Sequence, residues 1–266
     1  MNAKNTMENH KTTYILVHAA WHGSWCWKRV RAALQSAGHN VFTPTLTGLG
    51  ERSHLNSAAV DLSTHIADIV NLIKWEELSD VVLCGHSYAG CVITGVADQI
   101  PDRIRALVFL DAFVLENGES LMDIVPPEVA QAIREQARAI GEGWKVNPLP
   151  AHLFGVRDPH DVAWVDAQCT PQAIATFEER ITLTGNLEQI QDIAYIFPTE
   201  CHPNLLISHE RAKAKGWKIR TIDNSAHEFM VDHPRKLAEF LLEYARTLVI
   251  QKPLEGFSER RADTAA

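Results

Sequence analysis

Cysteine is scarce in this 266-residue sequence, and the five that occur are scattered: Cys26, Cys84, Cys91, Cys169 and Cys201. Their odd number and the absence of a Cys-X-X-Cys spacing argue against a disulfide framework and against a zinc site. No apolar run approaches the roughly 18 residues that a membrane-spanning helix needs. The polar stretch at residues 1–11 also lacks the apolar core of a secretory signal. These absences predict a cytoplasmic protein that does not bind a membrane.

Positive charge is also in deficit, since 25 Lys and Arg stand against 33 Asp and Glu and give a formal net charge of −8. This balance offers no electrostatic reason to expect a nucleic acid or an anionic membrane as partner. The hydrophobic fraction of 46% is typical of a globular protein. The length suits one large α/β domain with or without an insertion. We therefore expect a small-molecule partner, and a homodimer is compatible with the sequence.

Short apolar runs rich in β-branched residues alternate with helical patterns along the first half of the chain and again near its end. Such runs are typical of parallel strands that are buried on both faces of a sheet. The pattern predicts strands at residues 13–17, 39–43, 80–84, 104–110, 195–197 and 217–222. The alternation predicts an α/β fold with a mostly parallel, doubly wound sheet.

The alternation stops between residues 113 and 192, where the sequence is helical in pattern and interrupted by prolines. We interpret this segment as a helical cap inserted into the sheet domain. The predicted organisation is a core of residues 12–112 and 193–250, a cap of residues 113–192, and flexible tails at 1–11 and 251–266.

The sequence Gly85-His86-Ser87-Tyr88-Ala89-Gly90 follows a predicted strand and precedes a predicted helix. A serine on such a turn has its hydroxyl exposed at the end of the sheet, and small residues let the strand and helix approach closely. Ser87 is therefore a candidate nucleophile. The alternative is a glycine-rich turn with an incidental serine, because short motifs have a real false-positive rate.

A serine nucleophile needs a base within hydrogen-bond reach, and the base needs an acid to fix its tautomer. On this fold the expected chain order is serine, acid, histidine. His227 lies after the last predicted strand, where a strand end can bring it to Ser87. His86 is adjacent to Ser87, so its side chain points away from the serine, and we assign it a structural role.

Three stretches resemble one branch of the α/β-hydrolases, the branch of plant methylesterases, hydroxynitrile lyases and related bacterial esterases. They are HAAWHGSWCW at 18–27, the turn at 85–90, and LDAFV at 110–114. The resemblance implies an α/β-hydrolase fold, a Ser/His/acid triad and no cofactor, and we expect no metal site. It also implies an oxyanion hole formed by the backbone N–H groups of Ala20 and Tyr88.

The acid is where this sequence departs from that branch. Plant members carry an Asp just after the strand that corresponds to residues 195–197, and here Glu200 is the only acid close by. The other candidate is Asp111, at the end of the preceding strand. Its position is similar to that of the acid in haloalkane dehalogenases and zearalenone lactone hydrolases. We expect Asp111 to complete the triad because an apolar strand delivers it rigidly, and we keep Glu200 as the alternative.

These residues predict a serine hydrolase that cleaves a small to medium, largely apolar or aromatic carboxylic ester, or a related carbamate or activated amide, through an acyl-enzyme. Aromatic and imidazole side chains of the first loop and the cap are the candidate substrate contacts: His18, Trp21, His22, Trp144 and Trp164.

Three other functions fit the same fold. A hydroxynitrile lyase of this branch uses a Lys after the catalytic His and a Thr after the first-loop His, and here Glu228 and Ala19 stand at those places. Cofactor-free dioxygenation also uses a His and an acid on the preceding strand. The third alternative is a ligand-binding member that does not catalyse a reaction.

Overall fold

The computed structural model describes residues 11–250, with side chains described up to residue 248. The predicted tails therefore lie outside the described residues, except for Lys11. Eight strands occur in the described part of the chain: β1 (Thr13–Val17), β2 (Asn40–Phe42), β3 (Val81–His86), β4 (Ile104–Leu110), β5 (Lys145–Val146), β6 (Gln172–Ala173), β7 (Ile193–Pro198) and β8 (Lys218–Ile222).

Six of these strands form one sheet in the order β2-β1-β3-β4-β7-β8, and each neighbouring pair is parallel. The order reverses direction at β1 and β3, which is the signature of a doubly wound sheet. The parallel α/β architecture predicted from the alternating pattern is thus confirmed. The strands β5 and β6 pair with each other in an antiparallel hairpin apart from the sheet.

Helices connect the strands: α1 (Lys28–Ser36), α2 (Leu62–Trp75), α3 (Ala89–Gln99), α4 (Leu121–Ile124), α5 (Pro127–Ile140), α6 (Pro159–Gln168), α7 (Ala175–Glu178), α8 (Leu206–Ala214), α9 (Phe229–Asp232) and α10 (Pro234–Ile250). The helix α2 begins where Asp61 caps it, because the Asp61 carboxylate accepts a hydrogen bond from the Thr64 N–H at 2.8 Å. Among the described residues, no helix is both long and apolar enough to cross a membrane.

The core consists of two apolar layers, one on each face of the sheet. In β3, Val81 and Leu83 belong to one layer, whereas Val82 and Cys84 belong to the other. This division follows from the alternation of side chains along a strand. The helices α2 and α3 cover the first face, and α1 and α10 cover the second. Burial on both faces explains why these strands are continuously apolar.

The segment between β4 and β7 contains the short helices α4 and α7, the longer α5 and α6, and the hairpin β5-β6. Its prolines lie where they are tolerated, since Pro127 and Pro159 each start a helix. The hairpin was not predicted from the sequence. The division of the chain into core and cap stays a prediction.

Candidate active site

The polar residues singled out by their sequence position gather at the carboxyl ends of the central strands. Ser87 follows β3, Asp111 follows β4, and His227 lies in the connection after β8. Ser87 has a backbone φ of 54°, Asp111 one of 42°, and Trp21, after β1, one of 64°. Residues other than glycine rarely adopt positive φ, and such strain clusters at functional sites.

The turn at Ser87 is held by close backbone contacts. The Phe113 N–H donates to the Ser87 carbonyl at 3.1 Å, and the Ser87 N–H donates to the Leu110 carbonyl at 3.2 Å. A Cβ atom on Gly90 would lie 2.1 Å from the Phe113 carbonyl oxygen, and one on Gly85 would lie 2.8 Å from the Ala89 carbonyl oxygen. The two glycines are therefore required by the close approach of strand, helix and the segment after β4.

The imidazole of His227 is held by Asp111. Its Nδ1–H donates to Asp111 Oδ2 at 2.6 Å, and both side chains are buried. Because an ionised carboxylate only accepts hydrogen bonds, this contact leaves the His227 Nε2 lone pair free to take a proton. His227 and Ser87 line the same cavity.

Burial raises the pKa of Asp111, but hydrogen bonds from His209 and His227 more than offset burial and hold that pKa below its ordinary value. The group is therefore a carboxylate at neutral pH. Glu200, the alternative acid, is half exposed and pairs with Arg157. Of the two carboxylates, Asp111 is the one that contacts the His227 ring.

A second histidine, His209, also contacts Asp111, and it was not predicted from the sequence. His209 Nε2–H on α8 donates to Asp111 Oδ1 at 2.8 Å, so the carboxylate bridges two imidazoles. The two residues are 98 positions apart, and His209 lies in a helix that carries no motif. Only the folded arrangement of α8 against the end of β4 brings them together.

The predicted oxyanion donors, Ala20 and Tyr88, line the cavity beside Ser87. Tyr88 precedes α3, so its N–H lies at the positive end of a helix dipole. Beyond Ala20, the Trp21 N–H donates to the Gln172 side chain at 2.9 Å and the Trp21 indole N–H donates to the Val146 carbonyl at 3.1 Å. The hairpin β5-β6 therefore fixes the loop after β1.

A buried pair, His22 and Glu228, lies behind that loop. His22 Nδ1–H donates to the Ala20 carbonyl at 2.7 Å, and His22 Nε2 lies 3.4 Å from Glu228 Oε2. The longer contact is an ion pair rather than a well-formed hydrogen bond, since neither atom meets hydrogen-bond geometry. Burial lowers the pKa of His22, but the Glu228 carboxylate reverses this and raises that pKa well above its usual value. Burial raises the pKa of Glu228, and His22 more than offsets it, lowering the pKa to about 2.

Two further histidines are structural. His18 Nδ1–H donates to the Ala19 carbonyl at 2.8 Å, and its Nε2 accepts from the Leu46 N–H at 3.0 Å. His86 Nε2–H donates to the His227 carbonyl at 3.0 Å, so it fixes the backbone of that loop. Burial lowers the pKa of each to about 3, and both are neutral. The structural role predicted for His86 agrees with this contact.

Of the five candidate substrate contacts, the structure brings only Trp21 to the cavity. His18 and His22 instead hold backbone carbonyls behind the loop. Trp164 packs edge-on against Trp25 at 5.2 Å, and Trp144 lies beneath the Lys145 ammonium at 5.4 Å. These four side chains turn toward packing or hydrogen-bond partners that only the folded chain supplies, and their role as substrate contacts stays a prediction.

The cavity has a volume of about 350 Å³ and is bounded mainly by apolar side chains of α4, α5 and the loops around them. Among its few polar side chains is His202, whose Nδ1 accepts a hydrogen bond of 3.4 Å from the Asn204 N–H. Burial lowers the pKa of His202, so its ring is neutral and carries its proton on Nε2. Sequence reasoning also missed this residue.

In the described residues, one cluster has the spacing of metal ligands: His86, His227 and Glu228, whose ligand atoms lie within 4.8 Å of one another. One ring nitrogen of each histidine is already engaged, and Glu228 faces His22. A metal ion would have to use the second ring nitrogen of each histidine, and for His227 this is Nε2, the nitrogen that the contact with Asp111 leaves free to take a proton. Metal binding and proton transfer would therefore use the same nitrogen of His227.

A sequence model of the alpha/beta hydrolase family matches residues 14–240. The chain is 44% identical to a carbendazim hydrolyzing esterase of Nocardioides sp. (strain SG-4G), over 86% of this chain and 97% of that protein. It is 25% identical to putative methylesterase 11, chloroplastic, of Arabidopsis thaliana, over 88% of this chain and 64% of that protein. The solved structure of an extracellular alpha/beta-hydrolase from a Paenibacillus species is similar in fold, with a TM-score of 0.77 at 24% identity, covering 88% of this chain and 98% of that one.

Proposed function

The chain belongs to the alpha/beta hydrolase family, and we propose that it is a serine hydrolase that cleaves small to medium, largely apolar or aromatic carboxylic esters or carbamates through an acyl-enzyme. The observation that carries the proposal is the His227–Asp111 hydrogen bond of 2.6 Å at a cavity that Ser87 also lines. A serine, a base and an orienting acid are the groups that acyl transfer requires.

In the proposed reaction, His227 Nε2 takes the proton of Ser87 Oγ as this oxygen attacks the substrate carbonyl carbon. The tetrahedral oxyanion accepts hydrogen bonds from the Ala20 and Tyr88 N–H groups. His227 then gives its proton to the leaving group, and the bond between the carbonyl carbon and the leaving group breaks. Water attacks the acyl-enzyme after losing a proton to His227, and Ser87 regains that proton as the acid is released.

The wall of the cavity supports the substrate class. Apolar side chains of α4 and α5, together with Trp21 and Phe154, surround the space next to Ser87. We propose that the predicted cap, residues 113–192, forms this wall and selects substrates by size. Because the 44% identical relative is named for hydrolysing carbendazim, that compound is the first substrate to test. We also propose a cytoplasmic location, which the five free cysteines support.

A lyase reaction is disfavoured by the residue after His227. Departing cyanide would need a cation there, whereas Glu228 is a buried carboxylate that faces His22. This buried carboxylate is the observation that supports a hydrolase rather than a lyase.

A fluorophosphonate probe, which labels activated serines, tests the proposal. We expect one label per folded chain, located at Ser87, and turnover of aryl esters and of carbendazim. The Ser87→Ala variant should fold, lose the label and lose turnover. A folded wild-type protein that neither takes the probe nor turns over any member of an ester and carbamate panel would contradict the proposal.

A further inference from the structure

The carboxylate of Asp111 is completely buried and uses both of its oxygens. Oδ2 accepts from His227 Nδ1 at 2.6 Å, and Oδ1 accepts from His209 Nε2 at 2.8 Å. Each contact joins a carboxylate to an imidazole N–H within ordinary hydrogen-bond range. If His209 were absent, Oδ1 would be left without a partner in a site closed to water, which is costly for a charged oxygen.

The ring of His209 is itself held in place by strand β7. It stacks on Phe197 with ring centroids 4.9 Å apart, and it meets the edge of Tyr195 at 5.3 Å. The Tyr195 hydroxyl accepts from the Ala112 N–H at 2.9 Å and donates to the Ala112 carbonyl at 2.7 Å. Thus β7 fixes both the backbone next to Asp111 and the histidine that reaches its side chain.

The backbone conformation of Asp111 explains why its side chain needs the hydrogen bond from His209. Its φ of 42° is unusual for a residue other than glycine. The side chain can rotate about its Cα–Cβ bond and about its Cβ–Cγ bond, and either rotation would move Oδ2 away from His227. The hydrogen bond to Oδ1 fixes the second oxygen and therefore the plane of the carboxylate.

We propose that His209 is a positioning residue of the hydrolytic site, which holds the Asp111 carboxylate in the orientation that lets it orient His227. This inference rests on the proposed function. It assigns to α8 and β7 a role in catalysis that they exert through Asp111. The alternative is that His209 only attaches α8 to the sheet and that its contact with Asp111 has no effect on the reaction.

The first variant to test is His209→Phe, which keeps an aromatic ring against Phe197 but deletes the N–H donor. We expect kcat on an aryl ester to fall about 10- to 100-fold, the loss that follows from removing a hydrogen bond to a charged group, with KM nearly unchanged. His209→Gln retains an N–H donor and should recover part of this loss. His160→Leu, on the exposed face of α6, is the control for removing a histidine and should match wild type.

A double-mutant cycle with Asp111→Asn distinguishes positioning from attachment. If His209 acts through Asp111, His209→Phe should change kcat less than about twofold in the Asp111→Asn background. Equal losses in both backgrounds would overturn the inference, and so would a His209→Phe enzyme as fast as wild type. If His209→Phe does not fold, judged by circular dichroism and thermal unfolding, the same cycle with His209→Gln decides. A wild-type protein without esterase activity would instead contradict the proposed function.

Discussion

The sequence offered two candidates for the acid of the triad, Asp111 and Glu200, and their surroundings in the structure differ sharply. Asp111 is closed off from water and contacts two histidine rings, whereas about half of the Glu200 side chain is exposed beside Arg157. An exposed ion pair is worth little, about 0–1 kcal/mol, because water screens it and long side chains lose freedom on pairing. In the proposed mechanism, by contrast, the buried carboxylate orients the base and so acts on the reaction itself.

We predict that Asp111→Asn lowers kcat by about 10⁴-fold, the order of loss found when a triad Asp becomes Asn, because the amide no longer favours the tautomer with a free Nε2. Glu200→Gln is the matched control, since it removes the charge of the other candidate acid, and its kcat should stay within about twofold of wild type. Steady-state kinetics on an aryl ester measure both. A large loss in Glu200→Gln together with an active Asp111→Asn would reverse the assignment of the acid.

At the scale of elements, the strands were predictable because burial on both faces leaves a continuous apolar run in the sequence. The run at 104–110, for example, is the observed β4, and the run at 80–84 lies within one or two residues of β3 at each end. The turn at Ser87 was predictable because its small residues form a short motif in the sequence; the approach of the Ala89 carbonyl to Gly85 is local, whereas that of Phe113 to Gly90 comes from the segment after β4.

Contacts between distant elements were not predictable in this way. The hairpin β5-β6 consists of two residues per strand, too few to show a periodic pattern. His209 meets Asp111 only after α8 packs next to β4, and nothing within α8 distinguishes it from an ordinary surface histidine. His22 was expected at the substrate, but its partner Glu228 comes from the connection that follows β8. Long-range pairing therefore decides which histidine reaches the cavity and which ones hold its surroundings.

The His22–Glu228 pair joins the loop after β1 to the loop that carries His227, so its charge state contributes to stability. The pKa of His22 is raised by folding, so its contribution is complete below an unfolded pKa near 6.5 and is lost as pH rises through the folded pKa. The pKa of Glu228 is lowered from 4.5 to about 2, so its contribution is complete above about pH 4.5 and is lost as pH falls through about 2. The two ranges overlap between about pH 4.5 and 6.5.

We predict that Glu228→Gln lowers the free energy of unfolding by about 3 kcal/mol in that range. This is the lower end of the cost of breaking a buried pair, because His22 can lose its proton in the variant. Above about pH 6.5 the difference should shrink by up to ~1.4 kcal/mol per pH unit. Urea unfolding at about pH 3.5, 5.5 and 8 measures this difference between the variant and the wild type.

The matched control is Glu210→Gln, at an exposed pair with Lys213, which should change stability by less than about 0.5 kcal/mol. A pH-independent difference for Glu228→Gln would contradict the charged pair.

At the scale of the whole molecule, the net charge and the lining of the cavity both disfavour an anionic substrate. The chain has a formal net charge of −8, and among the described residues that line the cavity there is no Lys or Arg. The one carboxylate there, Glu128, is exposed at α5. A substrate that carries its own carboxylate would therefore have to shed water without gaining a cationic partner, which costs several kcal/mol.

We predict that kcat/KM for 4-carboxyphenyl acetate is lower than that for phenyl acetate by about 100-fold or more, since each ~1.4 kcal/mol is a factor of ten. The methyl ester of the same carboxylate is the matched control, because it has a similar shape without the charge, and its aryl acetate bond should be cleaved nearly as well as phenyl acetate. Glu128→Gln should raise kcat/KM for the anion only a few-fold, because Glu128 is exposed and water screens its charge. If the anion and its methyl ester are cleaved equally well, the cavity must supply a cation or keep the carboxylate hydrated, and the apolar substrate class would have to be abandoned.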